Sequence, residues 1–376
     1  MSAPSAPMQR ALELARIAFG STSPNPAVGA VFVKNGIVSG EGYTRPPGGP
    51  HAEVVALAEA GERARGATVY VTLEPCSHYG RTPPCVDALI AAGVSKVVFA
   101  LEDPDEKVSG RGKAALESAG IEVQVGDGAE ESSRLLEAYV KHRRTGLPFV
   151  VVKYAATLDG RIGATSGDSR WVSGPETLAW AHENRQYLDA MLVGASTIVV
   201  DDSQLTARPG GVLAAHQPLR VVVDSAGRVP TTAKVLQGPS KTLIATTQRS
   251  TEPWRRSMQD AGAEVLVLPA GADGRVPLLR LLEELGRRSV VLTLCEGGGV
   301  LHGSLFDQRL VDKITAVIAP MIVGSNDAPS AVAGTGVSFM RDAVRLRDVT
   351  VERLGEDILV TGYPVWPGST NLERRR

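Results

Sequence analysis

Two short segments of the chain carry side chains that are typical of a zinc site. The first holds His51 and, two positions later, Glu53; the second holds Cys76 and Cys85, separated by eight residues. One imidazole and two thiolates make three ligands, whereas zinc prefers four in a tetrahedron, so the fourth corner is open to water. We therefore predict His51, Cys76 and Cys85 as ligands of Zn²⁺, and Glu53 as the catalytic residue that transfers protons.

Other interpretations of these residues are open. The cysteines could be inert buried thiols, or a fourth protein ligand could close a purely structural zinc site. Cys295 lies far along the chain in an apolar segment, and His78 lies between the two cysteines in a loop rich in Gly and Pro, so neither is a natural fourth ligand. The order H-x-E…P-C…C is that of zinc-dependent nucleobase deaminases, although those have two residues between the cysteines. The open, catalytic site is the favoured interpretation.

Length and composition limit the classes of function. The chain has 376 residues, 43% of them hydrophobic, with a formal net charge of -1, which predicts a soluble protein of two domains. Without a basic excess, a nucleic-acid partner is disfavoured. No uncharged apolar stretch approaches the ~18 residues that a membrane span needs. Three cysteines and the lack of a visible signal peptide predict a reducing, cytoplasmic location.

The first 146 residues alternate helical and strand patterns. Such alternation predicts a layered α/β domain with a largely parallel inner sheet. Helices are predicted over 8–19, 51–60, 86–92, 112–119 and 130–144, and strands over 27–33, 67–73, 96–101 and 121–125, with a hairpin partner at 37–38 after Asn35-Gly36. His51 and Cys85 then lie at helix N-termini, where the helix dipole stabilises a metal-binding thiolate.

A second α/β domain is predicted for residues 147–376, after the segment Thr145-Gly146-Leu147-Pro148. Its strands are predicted over 149–154, 189–193, 219–224, 242–245, 265–268, 290–295, 313–319 and 358–361, and its helices over 175–187, 276–285 and 300–308.

Three segments of this second domain carry polar groups of interest. A glycine-rich turn at 296–299 lies between a strand and a helix, where backbone amides can approach a phosphate. Many such turns bind nothing, and this one lacks the G-x-G-x-x-G pattern of dinucleotide-binding folds. Lys153 interrupts an apolar strand, and 201–208 gathers acids, hydroxyls and an arginine. The segment 201–208 is either a solvated loop with a helix cap or a site for a phosphorylated small molecule.

Motifs from both halves together resemble the bifunctional deaminase–reductase family of riboflavin biosynthesis. They are found at 23–29, 51–54, 70–85, 153–160, 169–173, 201–208 and 296–298, in the order expected for the family. The resemblance implies a cytidine-deaminase-like three-layer domain followed by a dihydrofolate-reductase-like domain. It implies that water replaces the 2-amino group of a diaminopyrimidinone ribosylamino 5′-phosphate, and that NADPH then reduces the ribosyl group to ribityl.

The resemblance also implies site residues. Substrate contacts fall on Asn25, His78, Arg81, Ser169, Arg185, Leu205, Arg208 and Glu296, with Arg81 in place of a frequent lysine. Contacts with the nicotinamide cofactor fall on Ala155, Trp171, Thr197, Asp201, Ser225, Gly298 and Gly299. We add Lys153, and Asp201 in a second role, as groups that orient the ring-opened sugar. The chain departs from the family at Thr44, where histidine is frequent, at Asp103-Pro104-Asp105-Glu106, and at Ser203, where proline is usual.

Two other functions compete with this prediction. One is a deaminase whose second domain is only a scaffold, and the other is a non-catalytic zinc module that binds nucleotides. The family further implies a homo-oligomer, dimer or tetramer, acting on a small phosphorylated pyrimidine with no nucleic-acid or membrane partner.

Overall fold

The computed structural model describes residues 3–80, 82–105 and 108–368. The chain divides into two compact units, one ending at Leu147 and the other beginning at Pro148. Within the described ranges, none of the helices combines the length and the apolarity that crossing a bilayer requires.

The first unit alternates helices with the strands of one sheet. Its described elements are α1 (Ala6–Ala18), β1 (Gly29–Lys34), β2 (Ile37–Tyr43), α2 (Ala52–Ala60), β3 (Thr68–Val71), α3 (Cys85–Ala92), β4 (Lys96–Phe99), α4 (Arg111–Ser118), β5 (Glu122–Val125), α5 (Ala129–Leu135) and α6 (Glu137–Thr145). The strand order is β2-β1-β3-β4-β5. β3, β4 and β5 are parallel, in agreement with the prediction of a largely parallel inner sheet. β1 is antiparallel to β2, as the predicted hairpin requires, and also to β3, which was not predicted.

The antiparallel edge follows from the turn after β1. Asn35 and Gly36 both have positive φ, 53° and 76°, which reverses the chain at once into β2 as the predicted hairpin. Without a crossover helix between them, β1 and β2 have to run antiparallel.

Alternating side chains of this sheet form a core on each of its faces. Phe32, Val69 and Val97 pack with α2 and α3 on one face, whereas Val31 and Val98 pack with α1 on the other. Helices therefore cover both faces, as the prediction of a three-layer domain requires.

The second unit is built around one nine-stranded sheet. Its described elements are β6 (Phe149–Thr157), α7 (Pro175–Arg185), β7 (Ala190–Gly194), α8 (Ala195–Asp201), β8 (Leu219–Val223), β9 (Thr242–Thr246), α9 (Glu252–Asp260), β10 (Glu264–Val267), α10 (Leu278–Arg287), β11 (Leu292–Cys295), α11 (Gly299–Asp307), β12 (Lys313–Ala319), β13 (Arg345–Leu354) and β14 (Asp357–Val365). The order is β10-β9-β8-β7-β11-β6-β12-β14-β13, parallel as far as β12 and antiparallel beyond it.

The sheet brings three segments of chemical interest to one edge. β7, β11 and β6 are adjacent and parallel, with Cys295 in register with both Leu192 and Val152. The segments that follow β7 and β11 therefore lie beside the C-terminal half of β6, which carries Lys153. Ligands of open α/β sheets bind at such carboxyl ends, where neighbouring connections diverge.

Candidate active sites

Three donor atoms of the first unit converge between two helix N-termini. His51 immediately precedes α2, Cys85 is the first residue of α3, and Cys76 lies in the loop after β3. Gly42 allows α2 to begin this close to β2, because a Cβ at Gly42 would lie 2.5 Å from the carbonyl oxygen of Ala52. The ligand atoms of the histidine and the two cysteines all lie within 4.8 Å of one another.

The distances between these donors fit a zinc ion. His51 Nδ1 lies 3.5 Å from Cys76 Sγ and 3.3 Å from Cys85 Sγ. Zinc bound tetrahedrally at its usual N and S distances separates those atoms by about 3.6 Å. Among the residues that the structure describes, His51, Cys76 and Cys85 form the whole of this cluster, and His78 is not part of it. The donor set fits a zinc ion with one corner left for a non-protein ligand.

Glu53 lies in the first turn of α2, close to these donors. The residue is only 4% exposed, and burial together with the nearby Cys76 raises the pKa of its carboxyl to about 7. A group with a pKa near neutrality can both accept and donate protons at physiological pH. Its position and its environment suit proton transfer.

A cavity of about 240 Å³ opens beside the cluster. Its lining includes the cluster residues His51 and Cys76, the buried Glu53, and two predicted substrate residues, Asn25 and His78. The Nδ1 atom of His78 is buried and has no hydrogen-bond partner among the described residues, so it is free to contact a ligand. Arg81, the third predicted substrate residue of this unit, lies outside the described residues.

Thr44 also lines the cavity, at the position where the family often has histidine. It is 3% exposed, and its hydroxyl lies 3.3 Å from the amide nitrogen and 3.4 Å from the carbonyl oxygen of Val28. The side chain is thus engaged with the backbone of the cavity wall.

An acidic group in the lining of the cavity was missed as a candidate site. Asp103 accepts a hydrogen bond of 3.1 Å from the Tyr139 hydroxyl, and burial raises the pKa of Asp103 to about 6. Arg143 stacks on the Tyr139 ring and approaches Asp105 to 4.0 Å. The departure from the family at 103–106 was a signal that pointed to this wall, whereas Tyr139 and Arg143 appeared only as part of a charged helix.

In the second unit, Glu296 lies at the centre of a cluster of charges. Its carboxylate contacts Arg185 Nη2 at 2.6 Å and Lys153 Nζ at 3.8 Å, and the three side chains are 10–15% exposed. Burial alone would raise the pKa of Glu296, but Arg185 and Lys153 outweigh it and lower the pKa to about 2. The carboxylate oxygen that Lys153 approaches, Oε1, is buried without a hydrogen-bond partner among the described residues, so it can accept a hydrogen bond from a ligand.

Of the three glycines that follow Glu296, two are required by close packing and the third leaves open space. A Cβ at Gly297 would lie 2.9 Å from the amide nitrogen of Gly194, and one at Gly299 would lie 2.2 Å from the carbonyl oxygen of Ser330. These two glycines are therefore required by packing. At Gly298 a Cβ would meet nothing closer than 3.8 Å, and the amide nitrogen of Gly298 donates to Thr197 Oγ1 at 3.2 Å. Gly298 leaves room for a ligand at the N-terminus of α11.

The remaining predicted residues of this unit lie in the segments around that turn. Ser169 donates a 2.7 Å hydrogen bond to Asp201, which ends α8, and Trp171 is 69% exposed. Ala155 lies on β6, Ser225 follows β8, and Gly299 begins α11. Leu205 is 5% exposed and has a positive φ of 55°, a conformation that a leucine adopts only when its surroundings hold it there. Arg208 approaches Gln204 Oε1 at 3.0 Å.

Two family models match the chain and divide it between them. Residues 1–101 match the cytidine and deoxycytidylate deaminase zinc-binding region, and residues 148–360 match the RibD C-terminal domain. These matches confirm the predicted fold class, a cytidine-deaminase-like domain followed by a dihydrofolate-reductase-like one.

Relatives of known name extend the similarity over nearly the whole chain. The riboflavin biosynthesis protein RibD of Escherichia coli strain K12 is 39% identical over 363 residues, which cover 93% of this chain and 96% of the relative. RibD of Aquifex aeolicus is also 39% identical, over 94% of this chain and 96% of the relative.

Two solved structures share the fold of both units. Acinetobacter baumannii RibD is 37% identical, with a TM-score of 0.86, over 96% of this chain and 98% of that structure. A diaminohydroxyphosphoribosylaminopyrimidine deaminase/5-amino-6-(5-phosphoribosylamino)uracil reductase from Thermotoga maritima is 32% identical, with a TM-score of 0.81, over 96% and 98% of the two chains. The chain therefore belongs to the RibD family of riboflavin biosynthesis, and it joins a zinc-dependent deaminase to a reductase.

Proposed function

We propose that the chain converts a diaminopyrimidinone ribosylamino 5′-phosphate in two steps, hydrolytic deamination in domain 1–146 and NADPH-dependent reduction of the ribosyl group in domain 147–376. The observation that carries the first step is the cluster of three donors, two of which, His51 and Cys76, line one cavity together with the buried Glu53. The charged cluster around Glu296 supports the second. Family membership fixes the order of the two steps in our proposal.

His51, Cys76 and Cys85 are the residues that would hold Zn²⁺. A zinc ion in such a site supplies Lewis acidity, which lowers the pKa of a water molecule to about 7. Asn25, His78 and Arg81 would hold the pyrimidine and its substituents against the cavity wall. Arg81 has this role by its place in the family motif alone.

Glu53 would move the protons of the deamination. Its carboxylate would take a proton from the attacking water and deliver it to the ring nitrogen. It would then carry the remaining proton of that hydroxyl to the amino group, which leaves as ammonia while the carbonyl forms. The exclusion of solvent around Glu53, which is 4% exposed, keeps those protons within the site.

In the second domain, NADPH supplies the hydride when it is bound. The residues that would bind the cofactor are Ala155, Trp171, Thr197, Asp201, Ser225, Gly298 and Gly299. Ser169, Arg185, Leu205, Arg208 and Glu296 would bind the substrate. Lys153 and Asp201 would orient the ring-opened sugar, since Lys153 approaches Glu296 at 3.8 Å and Asp201 accepts a hydrogen bond of 2.7 Å from Ser169.

We further propose that the enzyme is a cytoplasmic homo-oligomer. The cysteines support a reducing compartment, because all three are free and two of them belong to the donor cluster. The strand β13, at the edge of the second sheet, supports self-association because its apolar residues Val349 and Val351 are 49% and 66% exposed. Light scattering of the purified chain measures the oligomeric state directly.

A single incubation tests the two-step function. The enzyme receives the diaminopyrimidinone substrate with and without NADPH, and mass spectrometry follows both products. We expect release of ammonia in each case and the ribityl product only with NADPH. Release of ammonia without any oxidation of NADPH would instead identify the second domain as a scaffold.

The variant Glu53→Gln tests the proton-transfer role. It should retain about one zinc per chain and lose about 10²–10⁴-fold in the rate of deamination, because a positioned acid–base group is removed. Reduction of the deaminated substrate should be unchanged and serves as the internal control. Normal ammonia release by this variant would exclude Glu53 as the proton carrier.

A further inference from the structure

His182 lies in the reductase cluster but has no role in the function proposed so far. It is on α7, three residues before Arg185, so the two side chains share one face of the helix. The imidazole is partly buried between Arg185, Arg208 and the backbone of Thr206. These surroundings are not those of a solvated surface residue.

The neighbours of His182 define its tautomer. Nε2 lies 3.5 Å from Nη2 of Arg208, and a guanidinium has only hydrogens to offer. Arg185 Nη1 also lies 3.4 Å from Nδ1, but it donates to the carbonyl oxygen of Thr206 at 3.3 Å, so Nε2 is the acceptor and the proton of the neutral ring is on Nδ1. From there it is donated to the carbonyl oxygen of Thr206, at 3.2 Å. His182 thus joins the helix to the 201–208 segment at one nitrogen and faces Arg208 with the other.

Burial and the neighbouring cations favour the neutral form of the ring. Burial, followed by the cations Arg185 and Arg208, lowers the pKa of His182, and Glu296 opposes them only in part. A neutral imidazole is the form that can accept a hydrogen bond from Arg208, whereas an imidazolium would repel it.

Arg208 differs from the other cations of the cluster. Arg185 and Lys153 both approach the carboxylate of Glu296. In the ranges that the structure describes, Arg208 has no acidic partner, and its contacts are Gln204 Oε1 at 3.0 Å and His182 Nε2 at 3.5 Å. Two neutral acceptors hold this guanidinium in place and leave its positive charge available for an anion.

The backbone that carries Arg208 is also held by residues other than His182. Gln217 pairs with both the amide nitrogen and the carbonyl oxygen of Ala207, at 2.9 Å each, and Arg220 donates to the carbonyl oxygen of Gln204 at 3.2 Å. Loss of His182 Nε2 should therefore free the Arg208 side chain without releasing the segment beneath it.

We propose that His182 is a positioning residue of the reductase, which orients Arg208 toward the anionic phosphate of the substrate by accepting a hydrogen bond at Nε2. The inference rests on the proposed function, in which Arg208 binds the substrate. It adds the residue that sets the direction of that arginine.

Two amide substitutions separate the functions of the two ring nitrogens. In His182→Asn the side-chain amide replaces Nδ1 and can still donate to Thr206, but nothing replaces Nε2. In His182→Gln an oxygen at the position of Nε2 can still accept from Arg208. We expect the Asn variant to raise the KM for 5-amino-6-(5-phosphoribosylamino)uracil by about threefold to tenfold, the effect of one lost hydrogen bond. The Gln variant should restore most of the affinity.

Three readouts distinguish positioning from simple packing. For the Asn variant, kcat of reduction should change less than KM, and the KM of deamination in the other domain should stay at the wild-type value. In an Arg208→Gln background, His182→Asn should produce no further rise in KM, because its partner is already gone. A similar unfolding midpoint for the two His182 variants serves as the folding control.

The same series contains the outcomes that overturn the inference. Additive effects of His182→Asn and Arg208→Gln, or equal losses in the Asn and Gln variants, would refute a role through Arg208. A KM raised by Arg208→Gln but not by His182→Asn would refute the inference and leave the proposed function intact. An unchanged KM in Arg208→Gln would overturn the proposed substrate role of Arg208, and the inference with it.

Discussion

Replacing Glu296 by glutamine should destabilise the reductase unit in a way that depends on pH. The carboxylate lies between Arg185 and Lys153, and these cations lower its pKa from an ordinary 4.5 to about 2. The ionised form is therefore preferred in the folded state, and its stabilisation is present above pH 4.5 and is lost as the pH falls toward 2. A pKa drop of this size corresponds to about 3 kcal/mol.

The assay uses the position of the tryptophans. All four of them, Trp171, Trp180, Trp254 and Trp366, lie in the second unit, so their fluorescence during urea denaturation reports on that unit alone. At pH 7 the free energy of unfolding of Glu296→Gln should be lower than that of the wild type by about 3 kcal/mol. Near pH 2 the free energies of unfolding of the two proteins should become nearly equal.

A matched control tests whether the loss of any carboxylate has the same effect. Glu252 also contacts two arginines, but its side chain is 56% exposed, so solvent screens the pairs. Glu252→Gln should leave the unfolding midpoint nearly unchanged at both pH values. A gap between Glu296→Gln and the wild type that is the same at pH 3 and at pH 7 would refute the electrostatic argument.

Two further variants test the packing behind the reductase site. Arg220→Met should lower the free energy of unfolding of the second unit by about 3 kcal/mol. The fully buried guanidinium donates to the carbonyl oxygens of Gln204, Gln237 and Ser240, and each of them would lose its donor. Wild-type stability in the same fluorescence assay would contradict this prediction. Gly303→Ala should lower the free energy of unfolding by about 3 kcal/mol or more, because the new Cβ would lie 1.6 Å from the carbonyl oxygen of Ala333. A thermal midpoint close to that of the wild type would contradict this and show that the segment around Ala333 moves away freely.

Much of the fold was accessible from hydrophobic periodicity and turn residues. The hairpin at Asn35-Gly36 was predicted from a dipeptide that adopts positive φ readily, and the structure confirms it. The helix predicted over 130–144 is interrupted at Leu136, between α5 and α6, where φ is -100°. The apolar residues Leu135, Leu136, Tyr139 and Val140 follow one another at helical spacing across this break, so the sequence does not mark it.

Three elements of the second unit were missed, for different reasons. The sequence of α8 contains Thr, Ile and two Val, which favour strands, and its helical form is set by the burial of Ala195 and Ile198. In α9 the signals were present, since Thr251 caps the helix by accepting from the amide of Trp254, and a proline follows in the first turn. β13 was missed because most of its side chains are exposed, so it lacks the apolar alternation of a half-buried strand.

In the candidate sites, too, some residues could be predicted from the sequence and others could not. The donors of the zinc cluster were predicted because metal ligation demands particular residue types at particular places in the chain. His182 could not be recognised in this way, since a histidine on a helix has no distinctive spacing to an arginine 26 residues away. Its significance depends on the loop that the sheet places beside α7.

The central claim is that three side chains hold zinc and leave one coordination position to water beside Glu53. A crystal structure with diffraction data collected at the zinc absorption edge tests it most directly. We expect one anomalous peak bonded to His51 Nδ1, Cys76 Sγ and Cys85 Sγ, with a water molecule as fourth ligand within hydrogen-bond reach of the Glu53 carboxylate. A fourth protein ligand, with Glu53 turned away from the ion, would contradict the account.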